Sequence, residues 1–400
     1  MDVLKGDLLK SINDIPRTIF SEDHVLFRQA MEDFVLSEVV PNHEQWEKNK
    51  MVSKEFWLSM GNNGFLAPQI PQAYGGMGIT DFRFNAIISE LLNRAGCSGP
   101  GIGVPVHSDI VVPYIIDYAN ENIKKKWLPK MASGEVVGAI AMSEPGAGSD
   151  LQGIKTTAED KGDYYLVNGS KTFITNGFIA EGYVVAVKTD PKARSRGISL
   201  LFMDAGMKGF SKGKPFQKVG MHAQDTCELF FDQVKVPKMN LLGKEGEGFK
   251  YMMDNLPQER IIVAQCGISA AEGALESTIG YIKEREAFGK PISHMQTIRH
   301  KIAELSTEVQ MGRVFMDRCL ELHAEGALSN IAASQAKYAM TDLQCRVIDE
   351  CVQLHGGYGY IWEYYIARAY ADARAQRIYA GSNEIMKELI SRPIWKNRKQ

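Results

Sequence analysis

The strongest constraint on this chain is a change of periodicity that happens twice. Up to about residue 134, apolar residues recur at helical spacing. Asp23 to Leu36 carries Val25, Leu26, Met31, Phe34 and Val35 in that rhythm, and a Lys-rich helical stretch runs from Asn122 to Met131. From about Gly134 to Gly243 the apolar residues gather into short runs instead. These are Tyr164–Val167, Tyr183–Val187, Ile198–Phe202 and Cys227–Phe231, separated by Gly, Asp, Asn and Pro. From Gly248 the helical rhythm returns, through Ala270–Lys283, Met295–Leu320 and Asn330–Leu354. The order predicts one discontinuous helical body with an antiparallel β-barrel or sandwich inserted, a multidomain α+β chain. The expected parts are an N-terminal helical domain over 1–134, a central β-domain over 135–245 and a C-terminal helical bundle over 246–400. No G-x-G-x-x-G follows a strand, so a dinucleotide would be held without a Rossmann turn.

Composition removes several function classes. With 46 Lys and Arg against 48 Asp and Glu, the formal charge of −2 leaves no electrostatic footprint for nucleic acid. No apolar run is long enough to span a bilayer, so membrane insertion is not expected. The six cysteines include no C-x-x-C pair, and the histidines lack metal-ligand spacing. Reduced thiols and no metal are expected. The opening residues, Met1–Gly6, resemble neither a signal peptide nor a transit sequence.

Several residues could carry chemistry. Glu259 stands where Leu256-Pro257-Gln258-Glu259-Arg260 leads into an apolar helix. A carboxylate there is either an ion-pair partner of Arg260 or of a residue one turn away, or a base whose pKa burial has raised. The residues alone favour the ion pair. Ser143-Glu144-Pro145-Gly146-Ala147-Gly148-Ser149-Asp150 reads as a polar turn, or as a loop whose hydroxyls and N–H groups meet a phosphate or ring edge. Ala380-Gly381 is small enough for close backbone approach, or only for a tight turn. His355, beside Gly356 and Gly357, reads better as a packed residue than as a ligand or acid–base group.

These segments together resemble the acyl-CoA dehydrogenase family. The markers occur in order: Ala141–Asp150, Asn168–Gly177, Arg285–Lys290, Gln353–Tyr360 and Arg377–Glu384. Cys97–Gly101, Pro257–Arg260 and Asn383–Ile390 resemble the long-chain branch. The resemblance implies FAD, an acyl-CoA substrate and a four-helix C-terminal bundle. It also implies a homotetramer (a dimer of dimers) and an electron-transferring flavoprotein as electron acceptor. It places the protein in the cytoplasm of a bacterium or, for a processed eukaryotic protein, in the mitochondrial matrix. The chain lacks the long C-terminal extension of the membrane-associated very-long-chain type, so a soluble enzyme is expected.

The resemblance also assigns roles. Most of the family carries its catalytic glutamate where this chain has Ala380. The long-chain and isovaleryl types carry it on the helix that holds Glu259, which makes Glu259 the implied base. The Ala380 N–H would bond the thioester oxygen as charge develops there. Glu384 is a lesser rival base, nearer the nucleotide half of the flavin. Flavin contacts are implied for Ile140, Ala141, Met142, Ser143, Gly148, Ser149, Phe173, Ile174, Thr175, Ser382, Asn383 and Glu384. Phe173 replaces the Trp of many relatives. Arg285, Gln296, Gln353, Leu354, His355, Gly356 and Gly357 would reach the flavin of a neighbouring subunit, so that a complete site needs a dimer. Ser149, Pro257, Gln258, Arg260 and Gly381 are implied substrate contacts. Gly99–Val106 would border the acyl tunnel, unless it is a glycine-rich loop with no part in it.

Two rival readings remain at this level. One is an oxidase-type relative of the same fold, which would release peroxide in air. The other is a non-catalytic flavin-bearing binding protein, which no acyl-CoA would reduce.

Overall fold

The structure, a computed structural model, describes residues 15–395. The segment Met1–Gly6 lies outside the described residues. An N-terminal group of helices comprises α1 (Glu22–Phe34), α2 (Val40–Asn49), α3 (Lys54–Asn62), α4 (Phe82–Arg94), α5 (Ser98–Pro105), α6 (Val112–Tyr118) and α7 (Glu121–Ala132). Side-chain caps start several of them. Asp81 accepts from Arg83 N–H at 3.0 Å ahead of α4, and Asn120 accepts from Ile123 N–H at 3.1 Å ahead of α7.

The β-domain follows, from β1 (Gly138–Ala141), β2 (Thr157–Asp160) and β3 (Tyr164–Thr175) to β4 (Gly182–Lys188) and β5 (Ile198–Asp204). It ends with β6 (Phe210–Lys212), β7 (Thr226–Pro237) and β8 (Leu241–Leu242). Strand order is β6-β7-β3-β2-β4-β5-β8, with β1 on β4. The expected antiparallel sheet needs one correction, because β1 and β2 each run parallel to β4.

Three long helices dominate the remainder: α8 (Gly248–Glu284), α9 (Gln296–Ala324) and α10 (Asn330–His355). A short hairpin of β9 (Glu286–Ala287) and β10 (Lys290–Pro291) separates α8 from α9. Then come α11 (Tyr365–Gln376) and α12 (Asn383–Trp395). Ile261, Ile268, Leu275, Val309, Met316, Val347 and Ile348 interlock as the bundle core. Phe82 and Ala86 of α4 join it, so the N- and C-terminal helices share one apolar interior.

A buried polar cluster stitches the two helical parts. Glu90 of α4 accepts from Arg17 at 2.8 Å, Arg28 at 2.7 Å and Gln265 at 3.0 Å. Arg313 of α9 pairs with Glu272 of α8 at 2.6 Å. These cations hold Glu90 well below the usual carboxylate range despite its burial. No described helix is long and apolar enough to cross a membrane.

The glycine-rich stretch after Cys97 is a buried helix, α5, and not a loop. A Cβ on Gly99 would meet the Ala223 side chain at 2.5 Å. Its glycines therefore let α5 lie directly against the β-domain.

Candidate active site

Glu259 opens the continuously buried stretch of α8 that runs to Ser269. It is 6% exposed, while Pro257 and Gln258 just before it are half-buried. Tyr114 of α6, itself 0% exposed, donates its hydroxyl to Glu259 Oε1 at 2.9 Å. Burial pushes the carboxyl up to about 7, opposed by the Tyr114 bond and by the Arg260 charge. The ion pair that the residues alone favoured is not formed among the described residues. Arg260 turns instead to Ser334 of α10, donating Nη1–H to its hydroxyl at 3.2 Å, and its Nε–H has no partner among the described residues. Gln258 is engaged by protein, donating to the Asp109 carbonyl at 2.7 Å and meeting His323 at 3.1 Å.

The loop between α11 and α12 brings Ala380 into view. Ala380 has φ of 52° and Gly381 has φ of 87°, two left-handed residues in succession. The first is costly for an L-residue with a side chain. Beside them, the Tyr379 hydroxyl is buried without a partner among the described residues. Lys337 of α10 donates to the Gly381 carbonyl at 2.8 Å and to Asn383 Oδ1 at 2.9 Å. Ser382 accepts from Ile385 N–H at 3.4 Å at the start of α12. Glu384 is exposed, and its own backbone N–H and the Ser382 hydroxyl hold its pKa below the usual value. That is the opposite of the shift seen at Glu259.

In the β-domain, Ile140 and Ala141 end β1 beside Val184 and Val185 of β4. The next turn closes by two bonds between Glu144 and Ala147, at 2.9 and 3.0 Å. Its anchor is internal. Buried Lys171 donates to Glu144 at 2.8 Å and to the Met142 carbonyl at 3.0 Å, and the Ser143 carbonyl accepts from Thr172 N–H at 3.0 Å. Glu144 is thereby occupied, leaving Gly148 and Ser149 exposed on the outer side. Phe173 sits at an irregularity of β3, with φ of 59° and its ring 69% exposed, 5.7 Å from Phe216. Ile174 points its side chain into the sheet core, so only its main chain can serve a ligand. Thr175 is half-buried.

Arg285 opens onto a cavity of about 530 Å³, lined also by Tyr281, Ile292 and Gln353–Tyr358. Its guanidinium lies 5.6 Å from the Tyr358 ring and joins no ion pair among the described residues. His355 is buried, stacked on Tyr281 at 4.1 Å and bonded to the Cys351 carbonyl at 2.8 Å. Gln296 is exposed at the first residue of α9 and does not line this cavity. All the lining comes from C-terminal elements. One chain therefore presents two groups: the Ile140–Thr175 face of the β-domain, and the Arg285–Gly357 cavity.

The residues present fit FAD. A Cβ on Gly146, Gly148, Gly356 or Gly357 would meet nothing within 4 Å, so these backbones border open space. An exposed aromatic ring beside the Ser143–Ser149 hydroxyls suits a flat polar ring system. An arginine free of carboxylates suits a pyrophosphate.

Family models confirm the pattern across almost the whole chain. The acyl-CoA dehydrogenase N-terminal domain matches residues 21–135, the middle domain 139–234 and the C-terminal domain 246–394. The chain belongs to the acyl-CoA dehydrogenase family. It is 49% identical over 394 residues to the mitochondrial long-chain specific acyl-CoA dehydrogenase of Sus scrofa, covering 98% of this chain and 91% of that one. The crystal structure of an acyl-CoA dehydrogenase from Geobacillus kaustophilus has a TM-score of 0.91 at 49% identity, covering 94% and 98%. One from Bacillus anthracis, complexed with FAD, has a TM-score of 0.88 at 31% identity, covering 94% and 67%. Acyl-CoA dehydrogenases are FAD-dependent oxidoreductases.

Sequence reasoning missed three residues of this site, Tyr114, Ser334 and Lys337, and the pairing of Lys171 with Glu144. Lys337 could have been found as a cation on the apolar face of Asn330–Leu354. Nothing in Val112-Pro113-Tyr114-Ile115 signals a partner for Glu259.

Proposed function

We propose that this chain oxidises a saturated acyl-CoA to the trans-2-enoyl-CoA, with Glu259 as the base and long acyl chains preferred. One observation carries the reading. Glu259 is a buried carboxyl with no ion pair among the described residues and a pKa near neutrality, while Ala380 has no proton acceptor. A base with pKa near the working pH combines availability with driving force. Glu259 takes the α-proton of the thioester. When bound, FAD supplies the acceptor for the β-hydride. The Ala380 N–H bonds the thioester oxygen, where negative charge grows as the α-proton leaves. Burial of Glu259 keeps water from competing for the proton.

Long-chain preference rests on the 49% identity to a long-chain specific relative and on the apolar, polar-free stretch of α5, which the family resemblance sets beside the acyl tunnel. Each CH₂ buried in a tunnel contributes ~0.8 kcal/mol, so discrimination grows steeply with length. The Arg285 cavity and the β-domain face are joined by a second copy of the chain, as in a homotetramer. Electrons leave through an electron-transferring flavoprotein. The test is kcat/KM over a panel of straight and branched acyl-CoAs with that acceptor. Rising values from C4 to long chains support the reading. A maximum at a short or branched acyl group would replace the long-chain assignment.

A further inference from the structure

Two parts of the proposed machinery sit on different elements: the base on α8, and the thioester-oxygen donor on the α11–α12 loop. One face of α10 bonds the sequence neighbours of both. Ser334, Lys337 and Thr341 follow each other at helical spacing on that face. Ser334 takes the Arg260 guanidinium, next to the base. Lys337 takes the Gly381 carbonyl and Asn383 Oδ1. Thr341 Oγ1 accepts from Asn383 Nδ2–H at 3.0 Å, and Asp342 accepts from the same amide at 2.8 Å.

Lys337 is 0% exposed and forms no ion pair among the described residues. The charged groups facing it are Asp342 on its own helix, Glu384 of α12, Arg260 of α8 and Arg377 of the loop. A buried ammonium is costly unless its hydrogen bonds are met. Here the bonds go to the backbone and cap of a loop that contains two successive left-handed residues. Such a conformation persists only when its surroundings over-determine it. We propose that Lys337 is a positioning residue, fixing the Ala380–Gly381 backbone relative to the Glu259 helix so that the Ala380 N–H meets the thioester oxygen. This rests on the function proposed above.

The test uses the FAD-loaded enzyme and the variants Lys337→Met and Thr341→Val. A 3-thia-acyl-CoA serves as probe, because its sulfur makes the α-proton acidic and its deprotonation on the enzyme can be titrated by absorbance. The expected result for Lys337→Met is retained FAD, KM within about threefold, and kcat lower by roughly ten- to a hundredfold, the scale set by misplacing one donor. The bound probe should lose its proton about one pH unit higher. Thr341→Val should shift both readouts the same way by less. If Lys337→Met folds with a lower melting temperature but unchanged kcat and probe titration, Lys337 is only a core anchor and the proposal fails. If Lys337→Met does not fold, Thr341→Val decides, and unchanged probe titration there overturns the proposal. Glu259→Gln run alongside separates the two claims. Normal turnover in that variant sinks the base assignment, while the probe titration of the Lys337 variant still reports on the loop.

Discussion

At the scale of single residues, the proposed chemistry turns on what burial does to one carboxyl. The folded pKa of Glu259 is raised from 4.5 to about 7. Between those values the folded state binds more protons than the unfolded chain, so stability falls as pH rises through that window. Above pH 7 the cost is fully present. Glu259→Gln removes it, and should stabilise the protein at pH 8 by roughly 2–3 kcal/mol. The check is thermal melting of both proteins at pH 5 and pH 8, where the gain should be several times larger at the higher pH. Tyr114 acts in the opposite direction, since its hydroxyl favours the ionised carboxylate. Tyr114→Phe should therefore move the acid limb of the kcat/KM profile upward from near pH 7. A limb that stays in place would detach Tyr114 from the base. Only one of the two partners was legible in the sequence. Glu259 could be read because a carboxylate entering an apolar helix is conspicuous, whereas Tyr114 reaches it from another helix, 145 positions away.

At the scale of elements, the periodicity change located the strands and long helices well, because burial on one face leaves a repeating trace. All four apolar runs fall inside β3, β4, β5 and β7. The parallel partners of β4 left no such trace, since pairing direction is set by how the chain returns and not by side-chain alternation. Two π-helical segments, Val35–Val39 and Val106–Val111, were also invisible. Each is followed within two residues by a proline, Pro41 or Pro113, whose missing N–H and ring disturb the helical ladder. Reading Gly99–Val106 as a possible loop failed for a third reason. Glycine lowers helix propensity, but here it permits a contact that a larger residue would block. Gly99→Ala should cost about 1–3 kcal/mol through overpacking against Ala223, seen as a lower melting temperature of the FAD-loaded protein.

For the whole molecule, the sequence markers for FAD were readable as types, and their division into two groups was implied by the family resemblance though not by the residues alone. Arg285 and Gly356 lie in a cavity built by the bundle, while Ser149 and Phe173 lie on the β-domain. If a second copy unites them, FAD retention depends on protein concentration by mass action. Dilution should release FAD in step with loss of the larger oligomer, followed by flavin fluorescence and light scattering. Arg285→Ala should weaken FAD retention by about ten- to a hundredfold, the range for a charge-assisted bond, without unfolding the isolated chain. FAD bound equally well by a dilute monomer would contradict the shared site.

The central claim is that Glu259 removes the α-proton. Anaerobic titration of the purified yellow protein with a long-chain acyl-CoA, followed at the flavin absorbance, tests it most directly in wild type and Glu259→Gln. Bleaching is expected in wild type and none in the variant, which still holds FAD and binds the acyl-CoA. Bleaching at a similar rate in both would place the base elsewhere.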